Sequence, residues 1–187
     1  MPQFKNRILP AISNITVTEK LSKEQLAKHN FVTKCPILNQ RNLLFYYRLL
    51  PDNRILFGAR GDLKGSKESS FKMSKWIEKR FKEIFPNWKN IKIDFRWSGF
   101  VAITRDLTPS VGKLPEEEIY HSFGYCANGV NTAPYLGKEL GNLIGGSNTK
   151  TMKISKIYQG LPKRFPFPFL RLFYLRIVYI YYSIIDK

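Results

Sequence analysis

Cysteine is nearly absent from this chain, with only Cys35 and Cys126 among 187 residues. Two cysteines cannot build a disulfide framework for a chain of this size, and neither lies in a C-x-x-C pair, so a reducing, cytoplasmic setting is expected. Histidine is equally scarce. His29 and His121 have no partners at metal-ligand spacing, and no metal is expected. Acidic residues are outnumbered, 14 Asp plus Glu against 31 Lys plus Arg, which gives a formal charge of +17. The lysines are scattered (Lys20, Lys23, Lys28, Lys34) rather than clustered on one face, so the excess reads as composition bias and not as a nucleic-acid footprint.

Long hydrophobic runs are also missing. The start, MPQFKNRILPAISN, has no continuous apolar core of signal-peptide length. The run FLRLFYLRIVYIYYSII is interrupted by Arg171 and Arg176 and leaves nine uncharged residues from Ile177 to Ile185, whereas a spanning helix needs about 20. A helix docked on the protein is expected there, with attachment of 165–187 to a membrane surface as the alternative. No repeat or low-complexity segment is visible, and a hydrophobic content of 43% marks a packed chain of one domain or two small lobes.

Residues 8–18 carry Ile12, Ile15 and Val17 among Ser and Thr, a strand pattern that ends before the polar segment 19–30. NLLFYYRLL (42–50) and RILFG (54–58) flank Pro51-Asp52-Asn53, the signature of a hairpin. From Ser69 to Phe85 the residues Phe71, Trp76, Ile77, Phe81, Ile84 and Phe85 recur at helical steps, and Pro86 closes the helix. Ile91, Ile93, Phe95 and Trp97 alternate with charged residues, which predicts a half-buried strand ending at Trp97-Ser98-Gly99, with 100–104 as a second, more buried strand. Residues 106–112 read as a loop and 119–125 as a further strand. Strands outnumber helices, and no strand–helix–strand unit at parallel-sheet spacing is present, so the fold class is α+β.

The stretch 119–146 carries the chemistry. A strand enters a Gly-bracketed loop, 124–132, and then a helix, 133–144, that begins near Pro134 with Leu136, Leu140, Leu143 and Ile144 as its buried stripe and Gly145-Gly146 as its cap. This layout aims backbone N–H groups and a helix N-terminus at one point, as anion and cofactor cradles do. An ordinary strand-to-helix turn with Pro134 in the first helical turn has the same local features. Gly137 and Gly141 leave one helix face bare, open to another backbone or a cofactor.

Taken in order, Trp97-Ser98-Gly99, Asp106-x-x-Pro109-x-x-Gly112, Gly124-Tyr125-x-x-Asn128-Gly129-Val130, Ala133-Pro134 and Gly137 resemble the C-terminal half of the FAD-dependent amine and D-amino-acid oxidase family. LPAISNITVTEKLS and FYYRLLPDNRILFGARGD are most similar to its gamma-glutamylputrescine oxidase branch. The resemblance covers roughly 9–185. It implies a large mixed or antiparallel sheet of a substrate domain in 1–95, the C-terminal part of a Rossmann-like FAD domain in 96–149, and a linker and C-terminal helix in 150–187. The dinucleotide fingerprint G-x-G-x-x-G is absent, since the glycines of GARGDLKG (58–65) have the wrong spacing. The expectation is therefore a fragment or subunit whose N-terminal dinucleotide-binding unit is missing or is supplied by a separate chain.

By the same resemblance FAD is the cofactor, and Trp97, Gly99, Tyr125, Cys126, Asn128, Gly129, Val130, Asn131 and Thr132 line its ring. Periodicity alone reads Trp97 as a core residue at a strand end. Tyr46, Tyr47 and Arg48 on the hairpin are candidate substrate contacts, with sheet packing as the plain alternative. Glycine oxidases place carboxylate-gripping arginines at the positions matching Val101 and Ala127. Without that clamp the expected substrate is a small-molecule amine, such as a polyamine derivative, over a free amino acid. The activity implied is hydride transfer from the carbon beside nitrogen to flavin, followed by reoxidation by oxygen or another acceptor. The alternatives are an amino-acid oxidase or dehydrogenase of the same family, or a non-catalytic basic protein that binds nucleic acid or membrane.

Overall fold

The computed structural model describes residues 1–145 and 154–186. The chain forms two compact units, one from Met1–Pro10 and Val101–Phe173, the other from Ala11–Phe100 and Tyr174–Lys187. The boundary expected at residue 95 falls inside a strand. Gly146 and the first part of the expected linker, 147–153, lie outside the described residues.

The second unit is built on a five-stranded sheet of order β2-β3-β4-β1-β5, from Ile37–Leu38 (β2), Tyr46–Leu49 (β3), Ile55–Arg60 (β4), Ile8–Thr18 (β1) and Ile93–Thr104 (β5). β1 and β5 contribute residues to both units. The pairs β2–β3, β3–β4 and β1–β4 are antiparallel. The hairpin 46–60 turns at Pro51-Asp52-Asn53, where Asn53 takes φ +65 and its N–H donates to Leu50 O at 3.0 Å. Asparagine tolerates that left-handed position better than most residues.

Helix α2 (Lys67–Ile84) starts at Ser66, whose hydroxyl accepts from the Ser69 N–H at 3.2 Å. It buries Ser74, Ile77 and Phe81, while Phe71, counted with its apolar face in the sequence, is 63% exposed. Ile77 and Phe81 pack with Phe57, Ile55, Phe85 and Trp88 in one aromatic core. Each large apolar side chain fully buried there stabilises the fold by about 1.5–3 kcal/mol. Helix α1 (Lys23–Ala27) interrupts the polar segment 19–30. Its capping box, Ser22 with Gln25, is a signal that is legible in the sequence.

β5 departs from expectation. Trp97-Ser98-Gly99 does not stop it, and one continuous strand of 12 residues runs through to Thr104. Nor is its first half half-buried, since Phe95 and Trp97 are 53% and 47% exposed. Period-two alternation defines a face but does not say whether anything covers it, and β5 is the edge of the sheet.

The first unit pairs β6 (Ser110–Lys113) with β7 (Tyr120–Phe123) and packs helix α3 (Gly129–Ile144) on them through fully buried Leu136. β6 begins inside the expected loop 106–112. Leu140 and Leu143 are half-buried, while Ile144, placed in the buried stripe by the sequence, is 56% exposed. Gly145 closes α3 at φ −73, so it does not act as a left-handed cap. The segment after 154 is pinned rather than free: the Gly160 N–H donates to Val111 O at 3.0 Å and the Phe165 N–H to Asn6 O at 2.7 Å. The last helix is α4 (Arg171–Ile185).

Candidate functional site

The candidate cradle is a strained turn that leads into an uncapped helix. Gly124, Cys126 and Ala127 have φ of +73, +50 and +72. Only Gly124 is at ease there, and a Cβ on it would stand 2.3 Å from Thr104 Cγ2. Two non-glycine residues in the left-handed region cost about 1–3 kcal/mol each, a strain that persists only where the surroundings enforce it. Here the Cys126 N–H donates to Ala102 O at 3.2 Å and its thiol to Gly124 O at 3.1 Å. Fully buried Thr104 reaches the same sulfur with its N–H and its hydroxyl, both at 3.5 Å, and its hydroxyl also donates to Thr108 O at 2.8 Å. The turn is thereby bolted to the end of β5.

The sequence placed the helix start near Pro134. Instead α3 begins at Gly129, so Gly129, Val130, Asn131 and Thr132 form its first turn and Pro134 lies inside the helix. The N–H groups of Asn131 and Thr132 both donate to Asn128 O, at 3.2 and 3.0 Å, and the Asn128 N–H donates to Tyr125 O at 2.9 Å. No hydrogen bond within the described residues engages the N–H groups of Ala127, Gly129 and Val130. The Asn128 side chain does not cap the helix, the first turn holds no acid, and Val130 is 97% exposed. The partial positive charge of this helix end therefore faces outward uncompensated, and three donors accompany it. That donor set fits an electron-rich, anionic edge of a bound group. Tyr125 supports the turn from below, its hydroxyl 2.8 Å from Ser122 Oγ and its ring 3.7 Å from where a Cβ on Gly129 would lie.

The other candidate residues divide between the two units. Val101, half-buried on β5, and exposed Ala127 belong with the cradle, whereas Tyr46, Tyr47, Arg48, Trp97 and Gly99 belong to the sheet unit. On β3, Tyr47 lies opposite Phe57 and meets Phe85 edge to face at 5.2 Å, so its ring packs against the aromatic core. Tyr46 and Arg48 take the opposite face, because neighbouring residues on a strand alternate. The Tyr46 ring crosses Gly58, where a Cβ would stand 2.1 Å from Tyr46 Cζ, and its hydroxyl is 2.6 Å from Ser13 Oγ. Burial raises the pKa of this phenol while the Ser13 hydrogen bond lowers it, the first effect being larger, so the group stays neutral and can donate. Trp97 lines a groove of about 330 Å³ with Asn14, Ile15, Lys67, Phe71 and Arg96. A Cβ on Gly99 would meet nothing within 4 Å, so no close approach by the described residues requires a glycine there.

His121 forms no catalytic pair with its neighbour Ser122. Its Nε2 meets Ser110 Oγ at 3.1 Å, and burial lowers its pKa. Sequence reasoning missed Thr104 and Ser13, which carry no local signal. Gly58 was readable, because a glycine inside a strand often marks close approach of another group.

Residues 1–143 match the family described as FAD dependent oxidoreductase. Gamma-glutamylputrescine oxidoreductase of Escherichia coli (strain K12) is 30% identical over 189 residues, which cover all of this chain and 42% of that protein. The chain thus spans less than half the length of this curated relative. Among solved structures, glycine oxidase from Geobacillus kaustophilus superposes with a TM-score of 0.63 at 16% identity, over 87% of this chain and 41% of its own. Iminodiacetate oxidase from Chelativorans sp. BNC1 gives 0.64 at 16% identity, over 86% and 42%. At that identity the structural likeness carries the fold alone.

Proposed function

Because the chain belongs to the FAD dependent oxidoreductase family, we propose that it forms the flavin-ring edge of a site that oxidises the C–N bond of an amine. The observation that carries this reading is the uncapped start of α3, with the free N–H groups of Ala127, Gly129 and Val130. FAD, when bound, accepts the hydride from the carbon beside nitrogen, the substrate also losing a proton as C–N becomes C=N. The negative charge this leaves on the ring edge is what such donors and a helix N-terminus stabilise. Tyr125, Cys126, Asn128, Gly129, Val130, Asn131 and Thr132 would hold that edge. Cys126 does so through backbone geometry more than through its side chain, the turn being enforced by Thr104.

Val101 and Ala127 offer no guanidinium, so a substrate α-carboxylate would find no bidentate clamp at either position. An amine is favoured, and the E. coli relative's name makes gamma-glutamylputrescine or a similar polyamine derivative the first substrate to try. Tyr46, neutral and with its hydroxyl held by Ser13, and Arg48 on the same sheet face are the candidate substrate contacts of the sheet unit taken by itself. No G-x-G-x-x-G lies within the 187 residues, so the ADP part of FAD needs residues from outside this sequence, on the same polypeptide or another.

The test is co-expression with a polypeptide that carries that fingerprint, followed by purification and a visible flavin spectrum. A yellow complex that reduces on addition of gamma-glutamylputrescine is expected. A colourless product, or a flavoprotein reduced by glycine but not by amines, would overturn the reading in its cofactor part or in its substrate part respectively.

A further inference from the structure

Arg60, the last residue of β4, is a half-buried cation without a counter-charge. Its guanidinium carbon lies 5.1 Å from the centre of the Trp76 ring on α2 and 4.6 Å from that of Tyr179 on α4. Rings stacked on a planar guanidinium occupy its faces and leave the N–H donors at its edge. Among the described residues no carboxylate forms an ion pair with Arg60. Its Nε is buried with no hydrogen-bond partner, and its Nη1 meets Gly61 O at 3.5 Å, the long limit of a hydrogen bond. Asp62, two residues on, is engaged elsewhere, its carboxylate accepting from the N–H groups of Lys64 and Gly65 at 2.6 and 2.5 Å. Burial lowers the Arg60 pKa, with Tyr179 opposing. A desolvated cation of this kind is costly unless an anion meets it.

The surroundings of Arg60 fit such an anion. With Arg41, Arg80 and Trp76 it lines a cavity of about 70 Å³. The Arg80 guanidinium stands over the same indole at 5.6 Å, so two cations converge on Trp76. Arg41 donates to the main-chain oxygen of Asp186, and Arg80 pairs with Glu83 at 2.6 Å, an exposed contact of the kind that is weak and exchanges readily. The one acid in the lining is Asp186, and its carboxylate already accepts from the N–H groups of Asn42 and Leu43 at 3.0 and 2.7 Å and from the Asn42 side chain at 2.9 Å. All of these groups belong to one compact unit. The volume admits a group of a few heavy atoms and excludes anything as large as a nucleotide. We propose that this cavity seats one oxyanion, a phosphate or a carboxylate, on the edge of Arg60, with the Arg41 and Arg80 guanidinium groups beside it. Two sources carry that chemistry: a free anion, or an Asp or Glu side chain from polypeptide outside these residues, since the chain covers 42% of the E. coli relative. The site does not rest on the flavin reading.

Equilibrium dialysis of the full chain against inorganic phosphate, at fixed ionic strength, tests it. Saturable binding of one phosphate per chain is expected, and the urea midpoint should rise with phosphate concentration. Arg60→Met, a neutral side chain of similar length, should weaken binding at least about tenfold and abolish the phosphate dependence of the midpoint, a linkage that a merely structural role would not create. Arg60→Lys keeps the charge without the fork and should fall between the two. Arg80→Gln should lose about twofold to fivefold. An unchanged circular dichroism spectrum confirms that each variant is folded. The same measurements on the co-expressed complex separate the sources. One phosphate per complex, lost in Arg60→Met, identifies a free anion. A complex that takes up no phosphate, yet dissociates at least about tenfold more readily with Arg60→Met, identifies a carboxylate of the added polypeptide. No saturable binding by the chain alone, or equal binding by the folded Arg60→Met variant, overturns the proposal. A complex indifferent to Arg60→Met in both respects overturns it equally.

Discussion

Replacing Gly124 with alanine isolates the forces that shape the cradle turn. Its φ of +73 lies in the left-handed region, and the added methyl would stand 2.3 Å from Thr104 Cγ2. Two costs follow, about 1–2 kcal/mol for a left-handed L-residue and about 1–3 kcal/mol for forcing a methyl into filled space. Gly124→Ala should therefore lower unfolding free energy by about 2–5 kcal/mol. Thr104→Ser deletes Cγ2 and keeps the hydroxyl that donates to Thr108 O at 2.8 Å. Alone it should lose about 0.8 kcal/mol for one buried methyl. In that background Gly124→Ala should cost only the conformational part, about 1–2 kcal/mol. Urea unfolding of the four proteins gives the coupling as the difference, expected at about 1–3 kcal/mol with an unchanged denaturant slope. Equal costs in both backgrounds would refute the close approach between Gly124 and Thr104. A silent Gly124→Ala would refute the left-handed turn itself.

Asn128→Asp adds a carboxylate at the start of α3, so it should stabilise the chain by about 0.5 kcal/mol through the helix dipole. In the flavin complex the same change should lower the flavin's reduction potential, and a raised or unaltered potential would argue against charge stabilisation at this helix end. Phe81→Ala, at a fully buried core position, should cost about 3–5 kcal/mol. Phe71→Ala, on the same helix at 63% exposure, should stay within about 0.5 kcal/mol in the same urea experiment. Burial, with a smaller contribution from Arg7, holds the His121 pKa below its ordinary value, against the opposing Gly160 carbonyl. The unfolded chain then takes up the proton first. Stability from this group is complete above about pH 6.5 and is lost as pH falls through the lower folded pKa. His121→Gln should flatten that part of the urea-midpoint profile, and an unchanged slope would assign it to other groups.

The strongly periodic elements are legible in the sequence. β1, the hairpin around Pro51-Asp52-Asn53 and α2 follow from alternation, turn chemistry and helical spacing, all local properties. The continuity of β5 is not legible, because Trp97-Ser98-Gly99 looks like a stop, yet Gly99 can continue a strand. The burial of Phe95 and Trp97 depends on what lies across the sheet, which no local pattern encodes. Pro134 displaces the expected start of α3, since proline prefers a first turn but is tolerated deeper in this helix. The cradle residues 125–132 are recognisable, whereas Thr104, which holds them, is not. It lies 22 positions from Cys126 in sequence and meets it only in the fold.

The edge strand has a consequence for handling the molecule. Among the described residues no strand pairs with the outer edge of β5, and along Ile93 to Phe100 its aromatic side chains Phe95, Trp97 and Phe100 are 53, 47 and 76% exposed. Long edges with apolar side chains are templates for pairing with another copy, and only Asp94, Arg96 and Ser98 interrupt this one. Purified alone, the chain is expected to lose colloidal stability through this edge before its core unfolds. Phe95→Lys combined with Trp97→Lys is the change that should keep it in solution.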